Sequence, residues 1–378
     1  MKVGILTHFH KSTNYGGVLQ AYALCRILNN GEHSAYQILY LHKLSKITPE
    51  RLTPINIYKK IVLRLKRKIS YKKDSLIKKK MESLFCDFRD AVPHTLREYT
   101  KENISDTVNE FDAFIVGSDQ VWNPNWYDST YMLDFVGNHR LKMSYAASIG
   151  VDCLNENQKE IYKAKLTDFD CISVREIVAA EIISQIIDNP INVSVDPTLL
   201  LSANEWDDIA SAKKIKEKYI FLYLLGDDMS SRKLAEKFAR AKGLKIVMIP
   251  DLLGRYRSND RKICADKVTD VTPNDFISLI KYAEYIITDS FHACVFSVLY
   301  KKQFYAFDRI GIQEMGSRIE NLTRLFECPD HFCSSKKERS IENLLSLEDI
   351  DYSKDHTIFE AEKERSMNYL ETYLFGKG

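Results

Sequence analysis

A histidine lies where an apolar strand is predicted to run directly into a helix, in residues 288–293. The first turn of such a helix has free backbone N–H groups and the positive end of the helix dipole, which together bind phosphate or carboxylate. Ser290 begins that turn and His292 lies within it, and an imidazole exchanges protons near neutral pH. The segment therefore indicates an anion site with a proton donor. The competing interpretation is a core histidine or a helix cap.

An arginine directly follows a second predicted strand, at residues 171–174. Guanidinium groups bind carboxylate or phosphate through two parallel hydrogen bonds. Arg175 is therefore predicted to hold an anion, unless it forms an ion pair with the neighbouring Glu176 or with another acid. We expect Arg175 and His292 to face each other across a cleft and to bind one small dianion.

The turn after the strand predicted at residues 111–116 carries side chains that are typical of sugar sites. Carboxylates and amides form hydrogen bonds with hydroxyl groups, and an indole stacks on the apolar face of a sugar ring. The candidates in this turn are Ser118, Asp119, Gln120 and Trp122, and Asp119 is also a candidate base. The alternatives are a helix N-cap for Asp119 and a core position for Trp122.

A glycine-containing turn lies between the first predicted strand, at residues 3–7, and the first predicted helix. Glycine lets a ligand approach the backbone closely, so the turn is a candidate for substrate binding through Asn14, Gly16, Gly17 and Gln20. Its sequence is not G-x-G-x-x-G, and many strand–helix turns contain glycine. The turn therefore supports a substrate-binding site only in combination with the other segments.

Predicted strands and helices alternate along the chain, which is typical of an α/β fold with parallel sheets. A chain of 378 residues, 45% of them hydrophobic, suits two domains. A lysine-rich stretch near residue 211 divides them, which gives a domain over 1–210 and a second over 211–378. The last helix is a candidate to pack back on the first domain. Parallel sheets bind ligands at the carboxyl ends of their strands, where the candidate side chains lie.

Lys and Arg number 54 and Asp and Glu 52, but much of the positive charge lies in a predicted basic helical insertion at about 57–90. This insertion is either a solvated helix or a patch that contacts anionic lipid or an anionic acceptor. Nucleic acid is not an expected partner, because no binding motif or aromatic interleaving accompanies the charge. No run approaches the roughly 20 apolar residues that span a bilayer. We expect a cytoplasmic protein, with peripheral contact at the inner face of the membrane under the lipid interpretation.

Two short patterns are weak candidates for a metal site. Asp168 and Asp170 form a D-x-D pattern around a bulky phenylalanine, and Cys328, His331 and Cys333 lack the paired C-x-x-C spacing of a zinc site. We expect no metal.

Taken in order, these segments resemble the polysaccharide pyruvyl transferase family. The matching stretches are NYGGVLQAY (14–22), FIVGSDQVWNP (114–124), SYAAS (144–148), SVRE (173–176), DPTLL (196–200) and SFH (290–292). The resemblance covers about residues 1–330 and leaves out the basic insertion and the tail. Two positions depart from it. Ala293 stands where glycine is common, and Asp289 stands where asparagine is frequent, so that its carboxylate would oppose a bound phosphate unless it faces away.

The resemblance implies two Rossmann-like domains facing a cleft, as in GT-B glycosyltransferases, and phosphoenolpyruvate as the donor with no other cofactor. It implies transfer of pyruvate to two hydroxyls of a sugar in a surface polysaccharide, capsule or exopolysaccharide, where a lipid-linked acceptor is one option. It assigns donor binding to Arg175 and donor binding or proton donation to His292. The alternatives are a GT-B glycosyltransferase that uses a nucleotide sugar and a non-catalytic saccharide-binding subunit.

Overall fold

The chain folds into two parallel sheets connected by helices. The structure is a computed structural model that describes residues 1–31, 33–43, 54–137, 139–309, 316–334, 339–354 and 356–375, with the backbone alone over 54–71.

The first half builds one sheet. Its strands are β1 (Lys2–Leu6), β2 (Ser34–Gln37), β3 (Ala113–Val116), β4 (Leu141–Ser144), β5 (Ile172–Val174) and β6 (Ile191–Val193). Its helices are α1 (Tyr15–Asn29), α2 (Pro54–Asp90), α3 (Glu156–Leu166), α4 (Ile177–Ser184) and α5 (Ala203–Asp207). The strands pair in the order β2-β1-β3-β4, and β5 pairs with β6. Backbone bridges from Met143 to Cys171 and from Ala147 to Val174 place β5 beside β4, so the strands form one continuous parallel array.

The second half builds the other sheet. Its strands are β7 (Tyr219–Tyr223), β8 (Lys245–Met248), β9 (Asp266–Lys267), β10 (Tyr285–Thr288), β11 (Gln303–Phe307) and β12 (Phe332–Cys333), in the order β12-β11-β10-β7-β8-β9. Its helices are α6 (Met229–Lys242), α7 (Pro273–Lys281), α8 (Phe291–Leu299), α9 (Ser317–Leu325), α10 (Ile341–Ser346) and α11 (Thr357–Leu370).

A shared apolar core joins the two halves. Tyr15 of α1 stacks on Phe276 of α7 with ring centroids 4.8 Å apart, and its hydroxyl donates to the carbonyl oxygen of Val271 at 2.9 Å. Trp206 of α5 meets Phe296 of α8 edge to face at 4.9 Å. This packing fixes the start of α1, after β1, relative to the start of α8, after β10.

The last helix, α11, contacts the first half of the chain. The Ser366 hydroxyl accepts from the amide of Val195 at 3.0 Å, and the Tyr369 hydroxyl donates to the carbonyl oxygen of Ser144 at 2.8 Å. These contacts lie at the ends of β4 and β6, close to the candidate residues that follow those strands. The division of the chain at residue 210 stays a prediction.

The basic insertion lies in one long helix, α2. Its C-terminal part packs through Met81, Phe85 and Phe88 into the shared core, while Lys72 and Lys79 are exposed. The solvent and lipid interpretations of this helix both stay open. Within the described ranges, no helix has the length and apolar character needed to cross a membrane.

Candidate active site

Arg175 lies at the carboxyl end of β5, and only 3% of its side chain is exposed. Its Nη1 donates to Asp196 Oδ2 at 2.7 Å and its Nε to Glu176 Oε1 at 3.3 Å, while Nη2 has no partner among the described residues. Burial alone would lower the pKa of Arg175, but Glu176 and Asp196 outweigh it and raise that pKa. Arg175 therefore forms the ion pairs that were the alternative interpretation, and its Nη2 is buried without a partner among the described residues.

Asp196 follows β6 and is completely buried. Its Oδ1 accepts from the amide and hydroxyl of Thr198. Its Oδ2 accepts from Arg175 and, at 2.8 Å, from the Ser118 hydroxyl, and lies 3.6 Å from Nε2 of His292. The structure thus brings Arg175, Ser118 and His292 together around one carboxylate oxygen. Arg175 and His292 were predicted to face each other across a cleft, and this is corrected, because the carboxylate of Asp196 contacts both side chains.

His292 occupies the first turn of α8, which Ser290 begins without a side-chain cap. Among the residues that the structure describes, the backbone amides of Phe291, His292 and Ala293 have no acceptor, and Nε2 of His292 is buried without a hydrogen-bond partner. Free amides at a helix start beside an imidazole form an arrangement that binds anions.

Both departures from the family pattern lie at this helix start. The carboxylate of Asp289 accepts from the amides of Leu225 at 2.6 Å and Gly226 at 2.7 Å, so it is engaged by the turn after β7. The expected repulsion of a bound phosphate is reduced accordingly. Ala293 is fully buried.

The glycines after β1 have a different role from the predicted one. Gly16 and Gly17 lie inside the first turn of α1, which begins at Tyr15. A Cβ added to Gly16 would overlap the imidazole of His292, whereas a Cβ on Gly17 would meet its nearest atom, the His8 carbonyl oxygen, at 3.3 Å. The lack of a side chain at Gly16 thus leaves room for the imidazole of His292, which comes from the other half of the chain. A ligand contact was predicted at this position instead.

An open cavity of about 340 Å³ lies beside Asp119. It is lined by His8, Ser12, Asn14, His42, Asp119, Gln120 and Trp126. The sequence candidates Asn14, Asp119 and Gln120 therefore share one cavity. Asp119 is not a helix cap, and its φ of 77° is a strained value for a residue other than glycine. Such strain is concentrated at functional sites.

Asp119 interacts electrostatically with His8 in this cavity and also with Arg175 and His292. Its Oδ2 lies 4.0 Å from Nδ1 of His8. Burial alone would raise the pKa of Asp119, but His8, Arg175 and His292 outweigh it, so the pKa is lowered. Burial lowers the pKa of His8 to about 4. At neutral pH an ionised carboxylate and a neutral imidazole therefore lie together at the cavity wall.

Two sequence candidates belong to the core. Trp122 is fully buried, and its Nε1 donates to the carbonyl oxygen of Tyr131 at 2.9 Å. Gln20 is also fully buried, and its Nε2 donates to the Thr7 hydroxyl at 3.0 Å and to the Gly17 carbonyl oxygen at 2.9 Å. Neither side chain reaches a surface, so the predicted substrate contacts of Trp122 and Gln20 are corrected. The indole that lines the cavity belongs to Trp126.

The structure adds residues that the motifs did not indicate. His8 lies two residues after the end of β1, and a histidine near the carboxyl end of a strand is a signal that the sequence contained. His42 lies in the segment after β2 and faces the same cavity. Arg318, at the start of α9, is buried and lies 5.9 Å from the ring of Phe291. No local pattern distinguishes it from other helical arginines.

The weak metal candidates gain no support. In the described parts of the chain, no group of three His, Cys, Asp or Glu side chains is placed to hold a metal ion. The ring nitrogens of His331 lie 2.8 and 3.0 Å from the carbonyl oxygens of Phe304 and Glu348, so backbone groups occupy both.

Comparison with solved structures defines the class of fold. UDP-GlcNAc 2-epimerase from Methanocaldococcus jannaschii is similar with a TM-score of 0.54 and 11% identity, over 98% of this chain and 99% of that one. S. aureus MnaA, solved with UDP, is similar with a TM-score of 0.53 and 12% identity, over 99% and 97%. The chain thus has the two-sheet GT-B fold, as the sequence predicted. At these identities the likeness shows the fold alone.

The family is shown by the sequence. A model of the polysaccharide pyruvyl transferase family matches residues 14–310, and the chain belongs to that family. A search of curated proteins finds no significant match.

Proposed function

We propose that this chain transfers the pyruvyl group of phosphoenolpyruvate to two hydroxyls of a sugar, forming a cyclic ketal and releasing phosphate. The observation that carries the proposal is the contact of Arg175 and His292 with one oxygen of Asp196, beside the unpaired amides at the start of α8. The family membership points to the same chemistry. The reaction exchanges C–O bonds without a redox change, so it needs no cofactor beyond the donor.

The donor carries a carboxylate and a phosphate on one carbon centre, and the site offers a group for each. Nη2 of Arg175 is free for one anionic group, and the amides of Phe291, His292 and Ala293 are free for the other. His292 gives a proton to the methylene carbon, which leaves the central carbon electrophilic. The carboxylate of Asp196, 3.6 Å from Nε2, stabilises the protonated imidazole that this step requires.

The acceptor sugar occupies the cavity beside Asp119. One hydroxyl adds to the electrophilic carbon, the C–O bond to phosphate breaks, and the second hydroxyl closes the ring. Of the two hydroxyl protons, one returns to His292 and the other leaves with phosphate. The lowered pKa makes Asp119 a weak base, but a hydroxyl bonded to a cationic carbon is strongly acidic, so a weak base suffices. Trp126 offers a stacking surface, and holding two hydroxyls against one carbon is a matter of orientation.

Phosphoenolpyruvate is expected to stabilise the protein and to label its acceptor. At a concentration about 100 times its Kd, the ligand should add about 2.7 kcal/mol to the free energy of unfolding, which a thermal-shift titration detects. Incubation with phosphoenolpyruvate and saccharide intermediates should yield a product heavier by one pyruvyl ketal, measured by mass spectrometry. Stabilisation by UDP, with no shift from phosphoenolpyruvate and no ketal, would instead support the nucleotide-sugar glycosyltransferase.

The acceptor is proposed to be a lipid-linked intermediate of a capsule or exopolysaccharide, with α2 resting on the inner face of the membrane. Lys72 and Lys79 are exposed, and each basic residue near an anionic surface contributes about 1 kcal/mol. Sedimentation with phosphatidylserine vesicles should be lost on combining Lys59→Gln, Lys60→Gln, Lys72→Gln and Lys79→Gln. The matched control combines Lys233→Gln, Lys237→Gln, Arg240→Gln and Lys242→Gln, four exposed basic residues of α6. Equal sedimentation of both variants would exclude the membrane contact.

A further inference from the structure

Arg318 is a buried cation that forms no ion pair with a described residue. Only 8% of the residue is exposed, and within the described ranges its guanidinium forms no hydrogen bond and no ion pair. The other buried arginines all have partners. Arg89 donates to backbone carbonyls of Ser12 and Glu82, Arg175 to Asp196, Arg232 to Asp260, and Arg257 to backbone carbonyls after β7. Arg318 is therefore an exception within its own chain.

The position of Arg318 connects it to the candidate active site. Its guanidinium carbon lies 5.9 Å from the ring centroid of Phe291, and that of Arg175 lies 4.8 Å from the same ring. Phe291 is the first residue of α8, so Arg318 lies near the helix start where backbone amides lack acceptors. Burial and the charge of Arg175 outweigh the opposing effect of Glu176 and Asp119 and lower the pKa of Arg318 to about 10, at which it is still protonated at neutral pH.

A buried cation that forms no hydrogen bond or ion pair destabilises the folded state, because burial removes part of its hydration. A structural role would require a carboxylate or carbonyl within hydrogen-bonding distance, as the other buried arginines have. Arg175 is matched by two carboxylates, so it adds little net positive charge to the site. Glu176 and Asp119 act on Arg318 through space, but among the described residues neither forms an ion pair with its guanidinium.

We infer that Arg318 is an anion-binding residue that holds the phosphate of the donor, and of the phosphate product, against the start of α8. The identity of the donor rests on the proposed function, whereas the binding of a phosphate group by Arg318 does not. Arg175 then serves the carboxylate end of the same ligand through Nη2.

The test compares Arg318→Met and Arg318→Lys with Arg324→Met. Arg324 lies on the same helix and is 69% exposed, so its replacement controls for loss of an arginine from α9. Thermal unfolding is measured without ligand, with inorganic phosphate and with phosphoenolpyruvate. We expect Arg318→Met to be at least as stable as the wild type without ligand, and to lose the shift caused by phosphate. Arg318→Lys should keep part of the shift caused by phosphate. In a transfer assay, the KM for the donor should rise about tenfold or more in Arg318→Met.

A structural role would give the opposite pattern. Arg318→Met would then unfold at a clearly lower temperature while phosphate and phosphoenolpyruvate still shifted it as they shift the wild type, which would overturn the inference and leave the proposed function standing. A phosphate shift that depends on Arg318, with no shift from phosphoenolpyruvate and no ketal product, would support the inference and remove the proposed function. No shift of the wild type by either ligand would overturn both.

Discussion

Replacing His292 with alanine is expected to lower kcat for pyruvyl transfer by about 10²- to 10⁴-fold, the usual contribution of a positioned acid. The effect should fall mainly on kcat, because the free amides of α8 and Nη2 of Arg175 remain to bind the donor. Initial rates of phosphate release across a range of donor concentrations measure the change. The fold should persist, since Asp196 keeps its hydrogen bonds to Arg175, Ser118 and Thr198.

A glycine pair provides the matched control for this experiment. Gly16→Ala places a methyl group where the imidazole of His292 lies, so it should displace the ring and lower kcat in the same direction as His292→Ala. Gly17→Ala adds the same methyl group one residue later, where the nearest atom is 3.3 Å away, and should have a much smaller effect. Equal activity of Gly16→Ala and the wild type, or normal turnover by His292→Ala, would contradict the assignment.

The fold and the positions of Arg175 and His292 at strand ends were predictable because they follow from short-range patterns. Apolar runs of strand length alternate with helices, and parallel pairing brings all carboxyl ends of a sheet to one edge. Arg175 after β5 and His292 after β10 lie at such ends. The packing of α1 against α7, through Tyr15 and Phe276, then brings the edges of the two sheets together.

The remaining parts of the site could not be predicted, because they depend on side-chain direction within irregular turns. Trp122 and Trp126 lie four residues apart in one polar segment, yet the first is fully buried and the second lines the cavity. No periodicity applies there to decide between them. The sequence predicted that an ion-pair partner of Arg175 would be either Glu176 or another acid, without deciding between them. The structure shows ion pairs with both Glu176 and Asp196, and Asp196 is distant in the sequence.

Replacing Asp196 with alanine is expected to reduce the free energy of unfolding by about 3 to 5 kcal/mol, the usual cost of removing one partner from a buried ion pair. Arg175 would keep only the 3.3 Å contact with Glu176 as its ion pair. Urea unfolding at pH 7 measures the loss. Asp208→Ala is the control, because its ion pair with Arg26 at 3.0 Å is solvent-exposed. Its removal should change stability by no more than about 0.5 kcal/mol.

The stability difference between wild type and Asp196→Ala should also depend on pH. Burial alone would raise the pKa of Asp196, but His292, Arg175 and the Thr198 hydroxyl outweigh it and hold that pKa below its ordinary value. A carboxylate whose pKa is lowered by folding contributes stability above its unfolded pKa of about 3.9, and this contribution is lost as the pH falls below that value. The difference measured at pH 5 should therefore shrink as the pH falls below about 4. A difference that does not change with pH would mean that the charge of Asp196 is not what stabilises the fold.

The same variant separates the structural role of Asp196 from its role beside the ligand. Without this carboxylate, Arg175 keeps only Glu176 as a counterion and His292 loses its nearby carboxylate, so the site becomes more positive and should bind a dianion more strongly. Phosphate and phosphoenolpyruvate should therefore raise the unfolding temperature of Asp196→Ala more than that of the wild type, although the variant starts from a lower temperature. Asp196 could instead hold Arg175 in the conformation that binds the donor. The ligands would then raise the unfolding temperature of Asp196→Ala less than that of the wild type, which would show that the carboxylate positions the guanidinium.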